Sequence, residues 1–318
     1  MKEITVGIDI GGTNTVAGLV DKKGKVISSG NIATAQYPQA DKFVDALSEM
    51  ISAISNDKEY KIIGVGIGAP NGNFHKGTIE LAPNLAWKGI VPLADMVSKK
   101  MNLPVKLTND ANAAALGEMM FGAAIGMKNF AVLTLGTGLG SGIVVNGEVL
   151  YGSTGFAGEC GHIIVTPDGR DCGCGRRGCL ETYASATGLV RTVQWLLSDM
   201  RDQSILRNIE ATALTSEEIA KAALMGDPVA LQAFDYTAEI LAYAIVNLVA
   251  VTSPEAIFLF GGLANAGKLL FDPVNSYVDE LIQNIFKDTV KVLPSGITES
   301  NAAVLGSAAL AWNYFSSK

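Results

Sequence analysis

Apolar and polar residues alternate at the start of the chain. Ile4, Val6, Ile8 and Ile10 fall on one side of an extended segment, and a period of two is the mark of a strand. Three short strands are predicted over residues 3–9, 15–21 and 25–31, with turns at Gly11-Gly12-Thr13-Asn14 and Asp21-Lys22-Lys23-Gly24. The period then changes. Phe43, Val44, Leu47, Met50 and Ile51 recur at helical spacing, which predicts a helix over 41–55. An apolar strand over 62–67 runs into Gly68-Ala69-Pro70, and residues 71–90, rich in Asn and Gly, read as loop. A helix over 92–101 and a strand over 105–107 follow. That strand ends in Thr108-Asn109-Asp110, where an alanine-rich helix over 111–121 begins.

The second half repeats this opening. Strands are predicted over 130–135, 142–145 and 148–151 around another glycine turn, then a Gly/Cys-rich insertion over 152–181. Helices dominate 181–251, a last apolar strand over 256–260 meets Gly261-Gly262, and helices follow over 267–286 and 301–315. At an offset of 124 residues, Gly12 meets Gly136, Thr13 meets Thr137 and Gly18 meets Gly142, with Leu19 on Ile143 and Val20 on Val144. Any two glycine-turn hairpins share some of this likeness, but the pairing fits a duplicated strand–turn–strand unit. Two α/β domains facing across a cleft are expected. One is a smaller unit over 1–115, completed by a C-terminal helix over 301–318. The other is a larger unit over 116–300 that carries the insertion.

Composition narrows the class. The chain has 318 residues, 48% of them hydrophobic and 17% charged, which suits two domains with buried cores rather than disorder. Net charge is −7 and no basic stripe appears, so nucleic acid is not an expected partner. An acidic chain that binds an anion does so with local devices such as backbone N–H groups, helix N-termini or a metal. The N-terminal segment lacks the apolar core and cleavage site of a signal peptide, and the apolar run 240–251 is shorter than a bilayer span. A cytoplasmic protein with no membrane partner is expected.

The two glycine turns suit phosphate. Glycine lets backbone N–H groups approach an anion closely, and Thr13, Thr137 and Ser141 add neutral donors. Neither turn contains Gly-Lys-Ser/Thr, which excludes a Walker A loop, and a strand follows each, which excludes a dinucleotide fingerprint. One such turn alone is a tight hairpin. Two of them, with Gly261-Gly262 after a third apolar strand, favour a nucleotide site, with Asp9 placed to hold a hydrated Mg2+.

Asn109-Asp110 lies at a strand–helix junction. Either residue serves as an N-cap, but capping uses only one. Phosphoryl transfer needs a carboxylate that positions the attacking hydroxyl and accepts its proton late, and Asp110 suits that role, with Asn109 beside it for a sugar hydroxyl. The helix N-terminus is expected to lower the pKa of Asp110.

The chain has two histidines, and His162 lies in Glu159-Cys160-Gly161-His162, shortly before Cys172, Cys174 and Cys179. One imidazole and three thiolates match a closed tetrahedral zinc site of the structural kind. Cys160 reads as a small buried residue. Glu159 and Glu181 bracket the loop. Taken singly, each is a solvated surface carboxylate; flanking the metal loop, they favour sugar contact.

These motifs resemble the ROK family (repressor, open reading frame, kinase) along essentially the whole chain. They are Asp9-Ile10-Gly11-Gly12-Thr13, Asn109-Asp110-Ala111-Asn112, the turn Leu135–Gly142, Glu159-Cys160-Gly161-His162, the stretch from Cys172 through Cys179 to Glu181, and Gly261-Gly262. The resemblance implies a two-lobed actin-like, ribonuclease H-like α/β ATPase fold with a zinc-bearing insertion. It implies ATP-dependent phosphorylation of a hexose, with Asp110 as catalytic base for the sugar 6-hydroxyl. The implied sugar contacts are Gly68, Asn84, Asn109, Asp110, Glu159, His162 and Glu181. The nucleotide and phosphate set is Asp9, Gly11, Gly12, Thr13, Asn14, Gly136, Thr137, Gly138, Gly261 and Gly262, and the zinc set is His162, Cys172, Cys174 and Cys179. ATP, Mg2+ and structural Zn2+ are the expected cofactors, and a homodimer or homotetramer the expected assembly. Cys160 and Asn71 depart from residues more common in the family.

Glucose is favoured because the Glu159–His162 and Cys172–Glu181 patterns resemble bacterial glucokinases of the family. N-acetylmannosamine, N-acetylglucosamine, mannose and fructose are the alternatives. A sugar-responsive repressor would carry a DNA-binding segment ahead of Asp9, and a non-catalytic sugar sensor would need no Asp110.

Overall fold

The alternation at the N-terminus becomes three antiparallel strands, β1 (Lys2–Ile10), β2 (Thr15–Val20) and β3 (Val26–Ile32). The structure is a computed structural model, and it describes residues 1–55, 59–297 and 302–316. Next come α1 (Ala40–Ile54), β4 (Tyr60–Gly68), β5 (Gly72–Asn73), β6 (Thr78–Glu80), β7 (Ile90–Val91), α2 (Leu93–Met101), β8 (Val105–Thr108) and α3 (Asp110–Phe121). The second half holds β9 (Phe130–Leu135), β10 (Leu139–Val145), β11 (Glu148–Val149), α4 (Ala186–Asp199), α5 (Ser216–Leu224), α6 (Pro228–Thr252), β12 (Ala256–Phe260), α7 (Lys268–Leu281), β13 (Lys291–Pro294) and α8 (Ala302–Phe315).

Contacts divide the chain into two compact units. One is Met1–Met127 with Glu148–Gly158 and Gly296–Lys318; the other is Lys128–Gly147 with Glu159–Ser295. The first crossing follows α3, whereas the expected division lay at residue 115, because α3 packs on α8 within the first unit. Of the helix expected over 301–318, residues 302–315 form α8, and residues 301, 317 and 318 lie outside the described residues.

In the first unit the sheet order is β3-β2-β1-β4-β8. β1 pairs antiparallel with β2 and parallel with β4, which pairs parallel with β8. Phe43, Leu47 and Ile51 of α1 and Leu93 and Val97 of α2 pack with Ile4, Val6 and Ile8 on one face; full burial of each such side chain contributes about 1.5–3 kcal/mol. On the other face, α8 approaches so closely that a β-carbon on Gly7 or Gly66 would strike its backbone at Val304 or Ser307.

The strands of the second unit, in the order β10-β9-β12-β13, repeat the arrangement of β2-β1-β4-β8. β10 pairs antiparallel with β9, β9 parallel with β12, and β12 parallel with β13. β2 starts at Thr15 and β10 at Leu139, 124 residues apart, so the echo read in the sequence marks equivalent strands. The turn before β2 has one residue more than the turn before β10. The core gathers Leu133, Ile143, Leu189, Val193, Phe234, Leu241, Ile245 and Ile257.

Three expectations change. Residues 71–90 are not all loop, since β5, β6 and β7 form a small antiparallel sheet; strands of two or three residues are too short for a period to register. The strand expected over 148–151 stops at Val149. The apolar run 240–251 is the end of the 25-residue α6, a helix that by length and composition alone could cross a membrane. Its Ala230, Phe234, Leu241, Ile245 and Val249 are buried in the core of the second unit.

Candidate active site

In the first unit the chemistry gathers at the carboxyl ends of parallel strands, where open α/β sheets present ligand sites. Asp9 stands opposite Gly68 in the β1–β4 register, and Gly68 stands opposite Thr108 in the β4–β8 register. The turn after β1 is closed by the Gly11 N–H, which donates to Asn14 O at 2.9 Å. Asn84 lies against this turn: a β-carbon on Gly12 would stand 3.1 Å from Asn84 Cβ and closer still to its carbonyl. Only glycine fits that approach. The Gly68 N–H donates to Ser307 Oγ at 3.1 Å, so that donor is engaged within the fold.

Asn109 is the N-cap of α3. Its Oδ1 accepts from the Asn112 N–H at 2.7 Å, which leaves its amide nitrogen as a donor. Asp110 is the first helical residue, open to solvent, and its Oδ1 accepts from the Ala111 N–H at 2.8 Å. Despite that hydrogen bond its pKa is raised, because desolvation by the surrounding protein outweighs the backbone N–H groups of Ala111 and Asp110. The expected lowering by the helix N-terminus is therefore reversed. Asp9 is pushed up to about 6, first by burial and then by the charge of Asp110. Two neighbouring carboxylates that resist joint ionisation favour a cation between or beside them.

In the second unit the turn Gly136–Gly138 is closed by the Gly136 N–H donating to Gly138 O at 3.0 Å. The N-terminus of α4 holds it from behind: the Ala186 N–H donates to Gly136 O at 2.9 Å, and Thr187 Oγ1 to Thr137 O at 2.7 Å. Ser185 caps α4, accepting from the Gly188 N–H at 3.0 Å. Gly261, with a φ of 103°, follows β12 and packs against the backbone of Leu135. The glycines after β9 and β12 are thus neighbours. Beside Gly262 lies a cavity of about 210 Å3 lined by Ser216, Glu217, Lys221 and Asn265. No sequence motif marks those four; only the packing of α5 on the turn after β12 brings them together.

The insertion brings its donors together. The ligand atoms of His162, Cys172, Cys174 and Cys179 all lie within 4.8 Å of one another. Cys174 Sγ is 3.7 Å from Cys179 Sγ, and Cys172 Sγ is 3.7 Å from His162 Nδ1. Donors on a zinc tetrahedron with bonds of about 2.0–2.3 Å stand roughly 3.6–3.8 Å apart, so the donor set fits zinc in number, chemistry and spacing. Nδ1 faces the thiols, leaving Nε2 as the other ring nitrogen. Cys160 is buried outside the cluster, its N–H donating to Ser141 Oγ at 3.0 Å. Burial raises the Cys172 and Cys179 thiols, whereas hydrogen bonds from Arg176 bring exposed Cys174 down to about 6.

Both bracketing glutamates are in this unit. The Glu159 carbonyl accepts from the His162 N–H at 3.0 Å. Glu181 Oε1 accepts from Cys172 Sγ at 2.9 Å and lies 3.7 Å from His162 Nδ1.

Two units with one strand order, glycine turns at their strand ends and a three-cysteine, one-histidine insertion place the chain in a single class of proteins. It belongs to the ROK family, which its sequence matches over residues 5–313. Its fold is the actin-like, ribonuclease H-like α/β fold of ROK sugar kinases. The chain is 38% identical to a glucokinase of Halalkalibacterium halodurans over 86% of its own length and 84% of that protein. It is similar to a ROK family glucokinase from Streptomyces griseus solved in complex with glucose and AMPPNP, with 36% identity, a TM-score of 0.81 and coverage of 98% and 99%. The xylose repressor of Bacillus spizizenii is 28% identical over 98% of this chain and 77% of that protein.

Proposed function

We propose that this protein is an ATP-dependent hexokinase that phosphorylates glucose to glucose 6-phosphate. The observation that carries the reading is the placement of the Asp110 carboxylate at the junction of β8 and α3, in a chain whose strand ends carry phosphate-type glycine turns and whose relatives include glucokinases.

In this reading Asp110 accepts a hydrogen bond from the 6-hydroxyl and orients it. As the sugar oxygen bonds to the γ-phosphorus, the bond from that phosphorus to the β,γ-bridging oxygen breaks. ADP leaves, and the hydroxyl proton passes to Asp110. A carboxylate of raised pKa suits late proton acceptance. The Asn109 amide nitrogen, Asn84, Glu159, His162 and Glu181 hold ring hydroxyls, with the Gly68 backbone beside them. The backbone N–H groups of Gly12, Thr13, Asn14, Thr137 and Gly138 cradle phosphates, in turns whose shape the engaged Gly11 and Gly136 N–H groups set, while Gly261, Gly262 and the adjoining cavity receive the nucleoside.

Asp9 would hold Mg2+, which when bound offsets phosphate charge. His162, Cys172, Cys174 and Cys179 would hold structural zinc, which orders the loop between Glu159 and Glu181. A homodimer or homotetramer in the cytoplasm completes the reading; sedimentation at working concentrations tests the assembly.

A coupled assay with ATP and Mg2+ over glucose, mannose, fructose, N-acetylglucosamine and N-acetylmannosamine tests the activity. Glucose should give the highest kcat/KM. A higher value for another sugar would overturn the substrate, and glucose binding without turnover of any sugar would leave a sugar-sensing module.

A further inference from the structure

The metal loop is tied to the rest of its unit by a side chain that the reaction does not itself require. Within the loop the chain is irregular, with isolated bridges at Ile164–Cys179 and Asp171–Arg177. Half-buried Arg170 sends its guanidinium out of the loop to three acceptors. Nη1 donates to Thr182 O at 2.8 Å and to Gly188 O at 3.1 Å, and Nη2 donates to Thr192 Oγ1 at 2.9 Å. The guanidinium carbon lies 4.5 Å from the centre of the Tyr183 ring, and Tyr183 Oη accepts from the Arg170 N–H at 3.0 Å.

These partners are placed where they matter. Thr182 adjoins Glu181. Gly188 and Thr192 lie in the first two turns of α4, the helix whose N-terminus holds Gly136 and Thr137. Ser185, its cap, donates to Glu181 O at 2.6 Å. One planar fork therefore joins the metal loop, the turn bearing Glu181 and the start of α4. Lysine cannot replace it, because an ammonium is a point donor that cannot meet these acceptors while stacking on Tyr183.

We propose that Arg170 is a positioning residue for the sugar: it holds the 180–184 turn so that Glu181 meets a hydroxyl of the bound hexose. The proposal rests on the sugar-kinase reading above. Arg170 touches no substrate; it acts through Thr182 and α4.

The test compares Arg170→Lys and Arg170→Gln with the parent zinc-loaded protein. KM for glucose should rise about tenfold, the loss expected when charge-assisted hydrogen bonds are removed. KM for ATP and kcat should stay within about threefold of the parent, and zinc content should be unchanged. Amide hydrogen exchange should quicken most at residues 180–184. An unchanged KM for glucose overturns the proposal. So does a parallel loss of kcat, zinc and melting temperature, which would mark a merely structural residue. If neither Arg170 variant folds, Thr192→Val, which removes one acceptor, decides by the same readouts. Failure of the function reading would show separately, as a parent protein that phosphorylates no hexose, and exchange would still report the tie.

Discussion

A β-carbon on Gly138 would stand 2.8 Å from Oε2 of Glu181. The glycine turn after β9 and the carboxylate beside the metal loop thus share one space. Gly138 has no left-handed φ, so alanine is allowed by its backbone. The atom met is the far end of a flexible side chain, which can move aside. Gly138→Ala should therefore fold, with stability within about 1 kcal/mol of the parent. Displacing Glu181 should lower kcat/KM for glucose by roughly tenfold to a hundredfold. Unchanged kinetics with alanine at this position would remove Glu181 from the sugar site.

Asp110→Asn keeps the shape and removes the carboxylate proposed to take the proton. The rate should fall by about 10²–10⁴-fold, while calorimetry should still detect glucose binding. The fold should not suffer, because desolvation by the surrounding protein disfavours the Asp110 charge in the parent. A variant that binds glucose and keeps most of its turnover would show that another group takes the proton.

Much of this was legible because the sequence expresses it locally. Ile4, Val6, Ile8 and Ile10 alternate, and β1 follows. The spacing of Gly12 with Thr13 and Gly136 with Thr137 marks equivalent turns. His162, Cys172, Cys174 and Cys179 announce a metal by donor type. What escaped depends on the environment the fold supplies. The sign of the Asp110 shift was misread because helix polarity is visible in a sequence and desolvation is not. Arg170 reads as one more surface cation until its acceptors on α4 are known. Asn84 sits against Gly12 across more than seventy residues, which no local pattern encodes; only the family resemblance pointed to it.

Asp9 makes stability depend on pH in the unusual direction for an aspartate. Its pKa in the folded protein is about 6, against an ordinary value of 3.8. Below the ordinary value it is protonated in folded and unfolded chains alike, with no penalty. Between roughly pH 4 and 6 the unfolded chain ionises first, so this group's contribution to folding falls as pH rises and stays low above 6. Asp9→Asn should accordingly raise the melting temperature of the ligand-free protein more at pH 7.5 than at pH 4.5. An equal gain at both values would mean that Asp9 ionises as freely in the folded protein as in the unfolded chain.

Removing the metal donors tests whether zinc orders the loop or takes part in chemistry. Cys174 is the exposed thiol of the four, so Cys174→Ala removes a donor without opening a core cavity. If the metal is structural, this variant and the chelated parent should show faster amide exchange across 159–181 and a KM for glucose raised about tenfold or more, the size expected when a residue that orients a ligand set is lost. The kcat at saturating glucose should fall far less than in Asp110→Asn, because the carboxylate proposed to take the proton belongs to the other unit, at the start of α3. Such a split in the kinetics separates holding the sugar from reacting with it. Full affinity for glucose in verified metal-free protein would instead show that the loop stands without its metal, and that His162 and Glu181 need no zinc to be placed.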